Sequence, residues 1–259
     1  MDEPFSIIGE TGLEVRGLIA RPKNRGTFPT VILAPDMFDT AQSPVVKELG
    51  KLFLEKGFAV VLFDFTNSFG TSDGRGCDIT ISQRARDLEI ILEYVRKRPY
   101  VSEKRTIMLG IGFGGTAALA LEGFKAAAKA LVLVNAPTNV EDTAWTRFPD
   151  RDMLRVRLKR YFHVRWQGKE ERINATLFED AARVDLARCA RNLTTPTLIL
   201  TGAKATVTPL SHALWLDDRA IAAKHEHVVL PELVDATEKK EAKSIFDATN
   251  TFLKRMKIV

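Results

Sequence analysis

The stretch "IMLGIGFGGTAAL", Ile107 to Leu119, runs from an apolar, strand-like segment through a glycine cluster into an Ala- and Leu-rich segment of helical character. Two unrelated sites are built on such a turn. One cradles the phosphates of a dinucleotide at a helix N-terminus. The other presents a nucleophile on a tight strand-to-helix bend whose neighbours must be small. Gly110, Gly112 and Gly115 satisfy G-x-G-x-x-G, the first pattern, while Gly110 and Gly114 are the flanks of G-x-S-x-G, the second. In the second reading Gly112 stands where the nucleophile belongs.

The surrounding chain decides between them. Phe5 to Ile8 and Leu13 to Ala20 alternate like a hairpin about Gly9 and Gly12. A βα rhythm follows: "TVILAP" (Thr30 to Pro35), a helix from Ser43 to Lys56, "FAVVLFDF", a helix from Ile81 to Arg98, "RTIMLG", a helix from Thr116 to Phe124, then "KALVLVNAP". "PTLILTG" and "HVVLP" supply two later strands, each followed by a helical stretch. Continuous Val/Ile/Leu strands alternating with helices imply a mostly parallel sheet covered on both faces. A dinucleotide turn belongs to a first βαβ unit and needs an acidic residue at the end of the next strand. Here the glycine turn comes late, and the next strand ends in Asn135. A dinucleotide-binding protein is therefore the weakest of three functional readings.

At 259 residues, 45% apolar and 27% charged, the chain suits one large α/β domain. The acidic start "MDEPFSII" lacks the basic and apolar segments of a secretory leader, and no apolar run is long enough to span a membrane. Cys77 and Cys189 have no metal or disulfide spacing. These features imply a cytoplasmic protein with reduced thiols, no metal and no cofactor. The net charge of +5 is concentrated between Arg147 and Arg172, where nine Lys or Arg face four acids. That segment lies within an interruption of the βα rhythm over residues 138–185. Its apolar Met153, Leu154, Leu158, Tyr161, Phe162 and Trp166 alternate with arginines, which predicts an amphipathic helical cap. The basic run carries no recognised nucleic-acid motif.

Three further segments carry a family resemblance. "LFDFTNSFGTSDGR" resembles the strand and loop that α/β-hydrolases place before the elbow unit, and "LILTGAKATVTPLSHALWL" resembles their acid strand. "HVVLPELVDATEKK", followed by an amphipathic helix, resembles the segment ending in the catalytic histidine. With the elbow itself, these mark the chain as similar to the α/β-hydrolase superfamily, nearest to small serine esterases and acyl hydrolases. "ILAPDMF" adds some likeness to dienelactone hydrolases. The resemblance implies a single domain over residues 1–259, with an N-terminal antiparallel hairpin and the helical cap inserted after the fourth parallel strand.

It also implies a nucleophile, an acid and a histidine, in that chain order. The three positions hold Gly112, Ala205 and Asp235. A glycine has no side chain, an alanine neither accepts a hydrogen bond nor carries charge, and no histidine follows His227. Coordinated loss implies a pseudoenzyme that binds a small ligand or a protein partner. The amide of Phe113, with one near Met37 or Phe38, would form an oxyanion notch able to hold a carboxylate or phosphate beneath the cap. His163 in the cap is a further ligand-contact candidate. The alternative is an esterase or lactonase with an unconventional site built from Asp36, Asp235 or cap residues. His225 and His227 open a strand at the end of the sheet away from the site, and His212 reads as structural.

Overall fold

The glycine turn joins the central strand of an eight-stranded sheet to the helix packed against it. The computed structural model describes residues 1–148, 150–166, 169–221 and 224–259. Strands β1 (Asp2–Ile8) and β2 (Glu14–Ala20) form the antiparallel hairpin at one edge. Strands β3 (Phe28–Ala34), β4 (Ala59–Asp64), β5 (Val101–Ile111), β6 (Ala130–Val134), β9 (Thr197–Gly202) and β10 (His225–Leu230) run parallel, in the order β1-β2-β4-β3-β5-β6-β9-β10.

Both faces of the sheet are covered, which explains the unbroken apolar strands. Along β3, Ile32 and Ala34 enter one core while Val31 and Leu33 enter the other. Helices α2 (Ile81–Arg96), α3 (Phe113–Phe124) and α7 (Leu186–Asn192) pack side by side on the first face. Helices α1 (Pro44–Glu55) and α9 (Ala242–Arg255) pair on the second, where Phe53 packs edge-on against Phe246. Helix α8 (Leu210–Asp217) lies against β9 and β10.

The insertion after β6 contains the expected helices, α4 (Val140–Arg147), α5 (Asp150–Lys159) and α6 (Thr176–Arg183). It also contains an antiparallel hairpin, β7 (Tyr161–Trp166) and β8 (Lys169–Asn174), where the sequence had suggested more helix. The residue pattern accounts for the correction. Phe162 and Val164 are buried whereas Tyr161, His163 and Arg165 are not, an alternation of period two that fits a strand. The interleaved arginines at 157, 160 and 165 had obscured it. The side chains of Met153 and Trp166, two of the predicted cap apolar residues, lie outside those described. The hairpin is tied to the body by Asn174, whose amide donates to Asp78 at 2.8 Å. No described helix is long and apolar enough to cross a membrane.

Candidate functional site

Gly112 separates β5 from α3 at φ +51°, ψ −124°, a backbone conformation that side chains rarely adopt. Its neighbour Gly114 is required by close approach, since a β-carbon there would stand 2.4 Å from the carbonyl oxygens of Ala34 and Pro35. The elbow geometry of a hydrolase is therefore present without its nucleophile.

The space above Gly112 is not vacant. A β-carbon on Gly112 would lie 2.0 Å from Oδ1 of Asp36, the residue two beyond the end of β3. The same Oδ1 accepts the Phe113 amide at 2.7 Å. Oδ2 accepts from Nη1 of Arg147, the last residue of α4, at 3.2 Å. The Arg147 guanidinium also lies 4.7 Å over the ring of Phe38, which packs against Phe69 and Phe148. The expected oxyanion notch is thus filled by the protein's own carboxylate. That overturns the expectation of an external carboxylate or phosphate held on the Phe113 amide: its donor is already spent on a negative group.

The Asp36 loop is fixed from below by Arg84. This guanidinium is 1% exposed and donates to the carbonyls of Pro35 (3.3 Å), Asp36 (3.2 Å) and Met37 (2.9 Å). It stacks 4.5 Å from the Phe65 ring centroid. Burial lowers its pKa to about 10, so it remains a cation at neutral pH. Met37 itself is buried and serves through this carbonyl. Nearby Asp39 accepts from the Ser43 hydroxyl at 2.8 Å. Burial, then repulsion from Asp36, raises its pKa from 3.8 to about 6.

The other two positions that the resemblance assigns to the triad, Ala205 and Asp235, lie on adjoining loops. Ala205 lies in the loop after β9, where its amide donates to Gly202 O at 3.2 Å. Asp235 grips that loop: its carboxylate accepts the amides of Thr206 (2.9 Å) and Val207 (3.1 Å) and the Thr206 hydroxyl (2.5 Å). The loop carrying Asp235 is shaped by Glu241, 1% exposed, whose carboxylate accepts the amides of Val234, Ala236, Thr237 and Glu238 at 2.7 to 3.2 Å. Asn135, at the end of β6, donates to Val234 O (2.7 Å) and accepts Gly202 N (2.8 Å), which joins this loop to β9.

Between these groups lies a cavity of about 140 Å³ lined by Asp36, Gly112, Phe113, Arg147, Thr208 and Asp235, among others. None of the four histidines lines it. His163 is on the outward side of β7, 3.6 Å from Glu170 and stacked near Tyr161. His212 is buried elsewhere, His225 meets Asp217 at 3.1 Å, and His227 meets the Thr201 hydroxyl at 3.1 Å. The structure therefore unites Asp36, Gly112, Phe113 and Asp235 and leaves His163 outside. No imidazole is placed to take a proton at the elbow. Among the described residues no group of His, Cys, Asp or Glu is arranged to hold a metal ion.

Arg84, Arg147, Asp39 and Glu241 were not singled out from the sequence. Arg84 had a legible signal: it stands on the apolar stripe of α2 formed by Ile81, Leu88, Ile91 and Val95. A cation at such a position must find buried acceptors.

Comparison with known proteins fits this geometry. Residues 11–156 match the model of the X-Pro dipeptidyl-peptidase (S15) family, more than half of the chain. The chain belongs to this S15 family. Its fold is that of the α/β-hydrolases. Among solved structures, Est1E from Butyrivibrio proteoclasticus with ferulic acid bound superposes with a TM-score of 0.81 at 16% identity, covering 98% of this chain and 99% of that one. The α/β hydrolase GrgF from Penicillium sp. sh18 gives 0.77 at 20% identity, with 98% of each chain covered. The esterase domain of a Rhodothermus marinus protein gives 0.71 at 19% identity, again over 98% of each. At these identities the likeness concerns the fold alone. No curated protein matches the chain. As an S15 member, the chain keeps the elbow backbone and lacks a serine at position 112.

Proposed function

We propose that this S15-family chain is a non-hydrolytic protein that binds a small, polar, neutral or cationic ligand in the cleft above Gly112. The observation that carries this reading is the Asp36 carboxylate, which occupies the nucleophile's place and takes the Phe113 amide, one of the two donors expected of the oxyanion notch. Acyl transfer by the usual route needs both, together with an imidazole base. Asp36 and Asp235 against Arg147 leave the cavity lining one negative charge in excess, which opposes an anion and suits a neutral or cationic guest. A volume near 140 Å³ limits that guest to a few heavy atoms, unless the cap moves. The reading retains the cytoplasmic location argued from the sequence. A protein partner docking at the same cleft is its other form.

The test is turnover of short-chain p-nitrophenyl esters and of an Xaa-Pro p-nitroanilide, with Asp36→Ala and Asp235→Ala purified identically. The expected result is no turnover above buffer by the native chain. Turnover that disappears in Asp36→Ala would establish the second reading, a hydrolase of esters or lactones that uses Asp36. That reading is favoured by Asp39, close to Asp36, whose pKa is raised to about 6 and so lies nearer the range useful for proton transfer than an ordinary carboxyl group's.

A further inference from the structure

A second concavity, of about 730 Å³, lies between α4, α6, α7 and α8 and shares no lining residue with the elbow cavity. Among the described residues its lining includes the carboxylates of Glu141, Asp142 and Asp185 and no lysine or arginine, on a chain whose net charge is +5. Phe178 and Trp215 supply apolar walls. The three acids are not equally engaged. Glu141 pairs with Arg157 at 3.5 Å on exposed surface, and Asp185 caps α7 by accepting the Arg188 amide at 2.9 Å. Asp142 has neither kind of partner; its nearest polar neighbour is His212.

His212 is the second, independent observation. It is 4% exposed, and its Nδ1 accepts the backbone N–H of Thr138 at 3.1 Å. The ring proton is therefore on Nε2. Nε2 lies 3.4 Å from Asp142 Oδ2 yet makes no hydrogen bond. Burial lowers the pKa of His212, so the ring stays neutral. A buried donor in this state lacks a well-aligned acceptor, and the Asp142 side chain beside it is 56% exposed.

We infer that this groove is a binding site for an organic ammonium ion with an apolar body and a neighbouring hydroxyl or carbonyl oxygen. The ammonium group pairs with Asp142, supported by Glu141 and Asp185. The oxygen accepts from His212 Nε2–H once Asp142 turns toward the ligand. The apolar body lies against Phe178 and Trp215. The Arg219 guanidinium lies 4.4 Å from the Trp215 ring centroid, which shows that this indole accepts a cation on a face. This site is separate from the elbow cleft and does not depend on what binds there.

The test uses three probes with a shared aromatic body: phenylalaninol (ammonium and hydroxyl), 3-phenylpropanol (neutral) and 3-phenylpropionate (anion). Binding is measured by calorimetry and located by the indole N–H resonance of Trp215, assigned with Trp215→Phe. Saturable binding of phenylalaninol that shifts Trp215, roughly tenfold tighter than the neutral alcohol, is expected. Asp142→Asn, at an exposed position that folding tolerates, should weaken phenylalaninol by a similar factor. Equal affinities for all three probes, an unmoved Trp215 resonance, an unchanged affinity in Asp142→Asn or no saturable binding would each overturn the site.

Discussion

Oδ1 of Asp36 lies 2.0 Å from the point at which a β-carbon on Gly112 would stand, and 2.7 Å from the amide nitrogen of Phe113. One carboxylate oxygen thus occupies both the nucleophile's place and the oxyanion's donor. A side chain at position 112 and Asp36 in this orientation exclude each other, so glycine at 112 and the inward aspartate form one coupled feature.

That coupling can be measured. Gly112→Ser must place a β-carbon at φ +51° and push Asp36 from its amide, and should destabilise the protein by roughly 1–3 kcal/mol. In Asp36→Gly the obstruction is gone, so adding Gly112→Ser there should cost clearly less. Urea unfolding of the two singles and the double gives the coupling energy directly. Additive losses would mean that the two residues do not compete for the same space.

Removing the carboxylate alone should uncover the latent notch. Asp36→Ala leaves the Phe113 amide and the Arg147 guanidinium without their shared acceptor, at a cost of about 1–3 kcal/mol. Both groups then favour an incoming anion at the start of α3. Acetate should raise the melting temperature of Asp36→Ala in a saturable way and leave the native chain unaffected beyond its general salt response. An identical acetate response in both proteins would show that Asp36 does not block anion binding.

The sequence made the fold legible because each strand–helix unit announced itself locally. β3, β4, β6, β9 and the second half of β5 each carry a continuous apolar run, and the glycines at 110 and 114 mark a turn where backbones touch. The resemblance placed the three triad positions for the same reason, since elbow, acid loop and final loop each have a recognisable local pattern. What fills the site was not legible. Asp36 meets Arg147 across 111 residues of chain, and nothing local to either residue specifies the other. The cap hairpin was missed because Phe162 and Val164 face inward over too short a stretch to show period two among so many arginines. Glu241 was hidden for a different reason: its partners are four backbone amides, which leave no trace in side-chain pattern.

Asp39 should give the protein a measurable acid-side stability. Its pKa is raised from 3.8 to about 6 in the folded state by burial and by Asp36. The native state then binds more protons than the unfolded state between those values, so this contribution is full below 3.8 and is lost as pH rises through 6. At neutral pH the loss is on the order of 3 kcal/mol. Asp39→Asn keeps an acceptor for Ser43 and has no proton to lose. The stability of Asp39→Asn relative to the native chain should therefore increase from about pH 4 to about pH 7. Urea midpoints measured across that range would refute the assignment if the difference were flat or ran the other way.

Glu241 should control the loop that carries Asp235. Its two carboxylate oxygens accept four backbone amides, with Val234 and Ala236 on Oε1 and Thr237 and Glu238 on Oε2. Glu241→Gln preserves size but turns one oxygen into a donor that faces two N–H groups. Each orphaned buried amide costs roughly 1–3 kcal/mol, so the loop should open rather than hold its shape. Opening would release the Asp235 grip on Thr206 and Val207 while β9 and α9 keep their own hydrogen bonds. Amide hydrogen exchange should therefore quicken at Val234, Ala236, Thr237 and Glu238, then at Thr206 and Val207, with little change in the strands of the sheet. Uniform acceleration across the whole chain would make Glu241 a determinant of global stability. No acceleration at the four amides would mean that its carboxylate does not hold the loop.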